Sequence, residues 1–344
     1  MNLHPVAWLT WVSVMAIITM VARNPLYTLI LLTATLLVSY GQSRLDEGHK
    51  LPLLQIAVAV LVFSAIYNAL FVHFGQTVLF RLPSWPLIGG PLTLEALTDG
   101  LRNGLVLITL LAVFAALNVL VRVGDLVRLV PAGLQDLGVV VLIALTYVPQ
   151  TRRHLQQIRE AQAIRGHELR GLRDWRPVLI PLLIGGLERA MRIAEVMVAR
   201  GFGTTVSVEA RWLERVGTVM ALTTTLLGWL LLLWIENIGW FMLFVGFGAL
   251  GILLWKRGRS AQRTRYRQMP WGWPETVTVL LSVIALLIVV LPVPFIGQTS
   301  LSYSPYPRLS VPQFDPWMGA LLASLALPAF LANEVTTSGE RVHR

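Results

Sequence analysis

Long apolar segments separated by short polar breaks make up most of the 344-residue sequence. These segments are nearly free of charge and long enough for a helix to cross the hydrocarbon layer of a membrane. A bilayer offers the main chain no water, so each segment is predicted to be a helix. The predicted spans are residues 6–22, 26–41, 53–74, 103–121, 217–235, 240–255, 276–291 and 317–331. The predicted fold class is an all-α polytopic membrane protein with about eight transmembrane helices.

The pattern changes between residues 122 and 216, where apolar and charged positions share the same helical faces. Such helices are too polar to span a membrane and too apolar to form a loose linker, so a helical domain against the membrane surface is predicted. The chain then divides into four parts. These are an N-terminal four-helix membrane part (1–121), the helical domain (122–216), the fifth and sixth spans with a basic loop (217–270), and a C-terminal extension with two further spans (271–344).

Composition agrees with this class, because 55% of the residues are hydrophobic and only 13% are charged. The net charge of +10 comes almost entirely from arginine. These arginines lie between apolar spans, as positive charge does in cytoplasmic loops, so the lipid bilayer is the predicted partner and nucleic acid is not. The chain has no cysteine. No thiolate metal site, other metal set or cofactor site is predicted.

Arginine and lysine also predict the orientation. The segment 256–267 holds six basic residues and no acid, so it should be cytoplasmic. Counting back across two spans places the arginine-rich domain, residues 122–216, on the same side. Both termini then lie in the cytoplasm, and the Pro- and Gly-rich loops 75–102 and 292–316 lie outside. The predicted location is the plasma membrane, as a multi-pass protein.

Two long helices are predicted within the domain, over residues 137–165 and 177–200. In the second helix Gly186, Ala190 and Ala194 recur every four residues, which gives a smooth face where another helix can approach closely. The two helices are therefore predicted to cross there.

Both helices are predicted to end in the same way, with an arginine followed by a glycine. Arginine in a last turn complements the helix dipole, and glycine can take the left-handed conformation that closes a helix. Capping alone therefore explains either end. Two such ends in one cytoplasmic domain also suit insertion into grooves of another protein, since a guanidinium makes forked hydrogen bonds. The candidate residues are Ile164, Arg165 and Gly166 at the first end, and Ala199, Arg200 and Gly201 at the second.

The stretch from residue 145 to residue 203 resembles the coupling region of the transmembrane T component of energy-coupling factor transporters, the permease family of cobalt, nickel and vitamin uptake. That family carries two short X-Arg-X motifs at the ends of two crossing cytoplasmic helices, and Arg165 and Arg200 match them. The resemblance implies that two ABC-type ATPases receive these arginines and that a small membrane subunit binds the substrate. Alanine is frequent in the family where Ile164 stands, and the C-terminal extension continues past the family's usual end.

The sequence lacks the G-x-x-x-x-G-K-[ST] loop that holds nucleotide phosphates, so ATP is expected to act through other subunits. A conventional ABC importer permease is the main alternative, because residues 160–163 followed by Gly166 partly match the single coupling loop of that class. One loop would leave the second arginine motif unexplained. A membrane-embedded enzyme is a weaker alternative, since no clustered acids or paired histidines are found. The chain is therefore predicted to be a non-catalytic transport subunit.

Overall fold

The structure, a computed structural model, describes residues 3–43, 53–81, 90–130, 134–166, 171–202, 208–260, 271–291 and 298–331. Nearly all of the regular structure is helical, with one short antiparallel pair of strands. The elements are α1 (Pro5–Val21), α2 (Pro25–Ser43), α3 (Leu53–Phe71), β1 (Val78–Arg81), β2 (Pro91–Thr93), α4 (Leu94–Leu120), α5 (Val123–Arg128), α6 (Gln135–Ile164), α7 (Arg176–Ala199), α8 (Val208–Leu231), α9 (Glu236–Ser260), α10 (Trp273–Val290) and α11 (Pro316–Ser324).

Several helices have the length and apolar composition that a membrane span requires. Within the described ranges these are Leu54–Phe71, Leu94–Leu120, Asn237–Lys256 and Trp273–Val290. Shorter apolar helices occupy Pro5–Val21, Pro25–Gly41, Arg215–Leu231 and Pro316–Leu331. An all-α membrane protein is therefore the right fold class.

The chain forms two compact units. The terminal unit comprises Met1–Asp125 together with Arg267–Arg344, and the central unit comprises Leu126–Tyr266. The terminal unit thus joins the first helices of the chain with the C-terminal extension. The central unit contains the predicted helical domain and the two helices that follow it.

The first helix forms the core of the terminal unit, where α4 and α10 both pack against it. Small side chains line the buried side of α10, which lets α10 and α1 approach each other closely. These residues are Thr278, Ser282 and Ala285. The buried Trp11 of α1 also donates its indole N–H to the carbonyl of Leu325, 2.9 Å away, where α11 passes into a turn. A carbonyl released from a helix needs such a donor, because an apolar environment supplies none.

The fourth helix begins nine residues before the predicted span, at Leu94 rather than Asn103 (103 − 94 = 9). Thr93 caps it by accepting the N–H of Ala96 at 3.3 Å. The fully buried carboxylate of Glu95 accepts the N–H of Thr77 at 3.1 Å and its hydroxyl at 2.8 Å. The polar residues between positions 94 and 102 predicted a loop. They are helical instead, because polar groups at the start of α4 find hydrogen-bond partners in the helix end and in the chain after α3.

In the central unit, α8 and α9 form a hairpin held by close approaches at glycine. A Cβ added at Gly228 would lie 2.7 Å from the amide nitrogen of Leu243, and one at Gly239 would lie 2.6 Å from that of Leu232. No side chain fits between backbones at such distances. Glycine therefore allows these two apolar helices to pack directly against each other.

Candidate functional site: the ends of α6 and α7

The candidate site is built from the two long helices of the central unit. Helix α6 ends at Ile164 and α7 ends at Ala199, so both end within a residue of the predicted positions. Pro149 lies inside α6, and the helix continues through it. Pro177 stands at the start of α7, where its missing N–H costs no hydrogen bond.

Both helices close with the same backbone geometry. Arg165 has φ −79° and ψ 5°, and Arg200 has φ −86° and ψ 5°. Gly166 and Gly201 follow at φ 79° and φ 77°, the left-handed region that glycine enters without strain. The glycine N–H in each case bonds a carbonyl three residues earlier at 2.9 Å. The predicted helix closure by glycine is therefore confirmed at both ends.

The second end carries one further hydrogen bond. The N–H of Phe202 donates to the carbonyl of Met197 at 2.9 Å, which completes a Schellman motif together with the bond from Gly201 to Val198. The main-chain carbonyls of Val196, Met197 and Val198 thus accept hydrogen bonds from the main chain, without any side chain. The helix end does not need the guanidinium of Arg200 to close it.

The two arginines project into solvent from these closed ends. Both are exposed, and neither makes an ion pair or side-chain hydrogen bond with any described residue. Large apolar neighbours share this exposure, since Ile164 is 87% exposed and Val198 is 69% exposed. Each helix tip therefore presents a free guanidinium beside an uncovered aliphatic side chain.

The helices cross where α7 carries adjacent glycines. Tyr147 of α6 donates its hydroxyl to the carbonyl of Gly186 at 3.3 Å, and a Cβ on Gly185 would lie 2.9 Å from Nε2 of His154. Gly186 therefore lies at the crossing. Ala190 and Ala194, the other members of the predicted crossing face, are exposed further along α7.

The predicted face omitted several residues that hold this crossing. Arg189 donates from Nη1 to Oε1 of Gln150 at 3.0 Å, and its guanidinium lies 5.9 Å from the centre of the Tyr147 ring. Away from the crossing, Gln162 near the end of α6 donates to the carbonyl of Pro177 at the start of α7, 3.4 Å away. The adjacent pair Gly185-Gly186 was the available signal for the contact, because two successive glycines in a helix reduce stability unless close packing requires them.

Among the described residues, no group of three or more His, Asp or Glu side chains lies close enough together to hold a metal ion. The site at the ends of α6 and α7 consists of arginine, glycine and apolar side chains.

The fold is that of an all-α membrane protein. Residues 1–212, more than half of the chain, match the family model CbiQ, described as "Cobalt transport protein". The chain therefore belongs to the CbiQ cobalt transport protein family.

Two relatives agree with this assignment, and both carry the name "Energy-coupling factor transporter transmembrane protein EcfT". The protein of Exiguobacterium sibiricum is 28% identical over 228 residues, which cover 61% of this chain and 84% of the relative. The protein of Leuconostoc gelidum subsp. gasicomitatum is 36% identical over 77 residues, 21% of this chain and only 29% of that relative. The family resemblance, and with it a non-enzymatic transport role, is confirmed.

Proposed function

We propose that this chain is the transmembrane coupling component of an energy-coupling factor type ABC importer. In this role it receives motion from two ABC-type ATPase subunits and passes it to a small substrate-binding membrane subunit. The observation that carries the proposal is the pair of matching helix ends, each with an exposed arginine. Two docking tips suit two ATPase subunits, one tip for each.

The crossing of α6 and α7 suits the transmission of motion. A helix is stiff along its axis, and two helices held together by side-chain contacts move together when one tip is displaced. The bonds from Tyr147 to Gly186 and from Arg189 to Gln150 tie the helices near their middles, away from the tips. We infer that closure of the ATPase pair moves both tips and that this crossing carries the movement towards the membrane.

The cargo is proposed to be a transition-metal ion such as cobalt or nickel, or a vitamin. The matched family is described as a cobalt transport protein. The ion would be cargo bound by the separate substrate-binding subunit, because this chain's described residues contain no cluster for it. Residues 122–216 would then form the coupling domain proper.

We further propose eight spans, with both termini and residues 122–216 in the cytoplasm. The four long apolar helices and the four shorter ones fall at the eight predicted positions, which supports this count. The basic segment 256–267 supports the orientation, because its sequence holds six basic residues and no acidic one.

Cysteine labelling tests this orientation, since the natural chain has no cysteine. Gln157→Cys and Ser304→Cys both replace exposed side chains, and Gln157 lies on α6 away from the tip. In intact cells, the cysteine at position 304 should react with a membrane-impermeant maleimide. The cysteine at position 157 should react only with a permeant one. Labelling of position 157 from outside would rule out the proposed orientation.

Co-purification tests the function itself. The full-length chain carrying an affinity tag should retain two ATPase subunits and a small membrane protein after mild detergent extraction. A conventional importer permease would instead be retained with a second copy of itself or a second permease. It would also need only one arginine tip, so mutation of Arg165 and of Arg200 would have unequal effects. Absence of any ATPase from the purified complex would contradict the proposal.

A further inference from the structure

The loop that leads into α11 is tied to the turn between α1 and α2 by one side chain. Asn24 is fully buried in that turn, and its Nδ2 donates to the carbonyl of Ser300 at 2.8 Å and to that of Gln313 at 2.7 Å. Its Oδ1 accepts the N–H of Leu26 at 3.0 Å, at the start of α2. A single amide therefore joins both limbs of the loop and also caps a helix.

A second buried side chain strengthens the same attachment. The hydroxyl of Tyr27 lies 2.9 Å from Oγ of Ser300 and accepts the N–H of Asp315 at 2.8 Å. Its ring packs against Phe314 with centroids 5.6 Å apart. Tyr27 is fully buried and Ser300 nearly so. Buried polar groups paired in this way are costly to separate, because each would lose its partner away from water.

The far part of the loop reaches the start of α4 and the chain after α3. Arg102 of α4 donates from Nη1 to the carbonyl of Tyr303 at 2.8 Å, while its other nitrogen pairs with Asp99 at 2.8 Å. Arg308 donates to Oε1 of Gln76 at 2.6 Å. We call residues 298–315 the strap, since they connect the α1–α2 turn, the start of α4 and the segment after α3.

We infer that the strap is a permanent clasp, closed throughout the transport cycle, that holds these helix ends together as one body. Opening it would break the bonds of Asn24, Tyr27 and Arg102 together and expose buried carbonyls. Lids and gates, in contrast, are drawn from segments with few buried contacts. The match to the family model ends at residue 212, so the strap, residues 298–315, lies outside that matched stretch, whereas its partners lie within it. The clasp gives the C-terminal extension a role. Only the uptake measurement below rests on the proposed function.

The double variant Gln76→Cys/Arg308→Cys tests the clasp in the full-length chain. The two native side chains touch, so a short, reductant-cleavable bifunctional thiol reagent applied to membranes should bridge the two cysteines. After proteolytic cleavage in the basic loop, the two halves should stay joined until reduction. The single variants Gln76→Cys and Arg308→Cys should give no joined product. Uptake by the bridged protein should equal that of the unbridged double variant.

Each outcome decides the matter. No bridge would show that the strap does not lie on the segment after α3, which overturns the inference. A bridge that forms but stops uptake, reversibly on reduction, would make the strap a gate instead of a clasp. Retention of ATPase subunits is measured on the same samples. Its failure in the parent protein contradicts the proposed function, and bridge formation still decides whether the strap is attached.

Discussion

Replacing Arg165 and Arg200 together with alanine is expected to leave the protein folded and membrane-inserted but without its ATPase subunits. As helix caps, these arginines contribute only roughly 0.3–1 kcal/mol each, and the backbone closes both ends without them. In an ATPase groove, truncation would leave acceptors unpaired at about 2–5 kcal/mol per site. That corresponds to a loss of roughly 30-fold to several thousand-fold in affinity per site. Co-purification of the ATPases and uptake in cells measure the effect.

The matched control is the double variant Arg159→Ala/Arg192→Ala, which removes one exposed arginine from each of the same helices away from the tips. It changes the net charge equally and should retain the ATPases. Lysine at positions 165 and 200 should restore little of the ATPase binding, because a point charge does not reproduce the forked donors of a guanidinium. If the double alanine variant still bound its ATPases and supported uptake, the arginines would be caps alone.

Asn24→Asp is expected to destabilise the terminal unit more than any other single change in the strap attachment. The carboxylate cannot donate, so the carbonyls of Ser300 and Gln313 lose their partner at a cost of about 1–3 kcal/mol each. A buried negative charge against two carbonyl oxygens adds a desolvation cost. Thermal unfolding of the purified full-length chain in detergent should show a clearly lowered midpoint.

Comparison variants separate the contributions. Asn24→Ala leaves the same carbonyls unpaired without a charge and should fall between the wild type and Asn24→Asp. Ser302→Ala is the control, since that exposed hydroxyl bonds only the carbonyl of Thr299 in its own turn. A midpoint for Asn24→Asp equal to that of Ser302→Ala would mean that the attachment contributes nothing to stability.

Local features of the chain were predictable because short-range chemistry decides them. A proline near the start of α7 and a glycine after its end place its boundaries within one residue of those observed, and the same rule closes α6 at Gly166. The apolar segments likewise identify membrane-competent helices, because the thickness of the bilayer sets their length and composition, and neighbouring helices do not.

Contacts between distant segments were not predictable in this way. Gly186 was predicted at the crossing, but sequence spacing on α7 cannot indicate the partners there, which are Tyr147 beside Gly186 and His154 beside Gly185. In the sequence, Arg189 is only one more positive charge. In the fold, it forms a hydrogen bond to Gln150 of the other helix. The choice of partner depends on the angle and offset of two helices, and no periodicity within one helix encodes these.

The sequence by itself determined the class of protein and the ends of α6 and α7 with their arginines, because burial in lipid and helix closure are local requirements. The tertiary structure alone decided where α4 begins and where residues 298–315 are attached. The polar segment 94–102 becomes helical because Thr77 satisfies the carboxylate of Glu95. Residues 298–315 become a strap because Asn24, far away in the chain, supplies donors to two of their carbonyls. Both outcomes depend on hydrogen-bond partners that only the folded chain brings within reach.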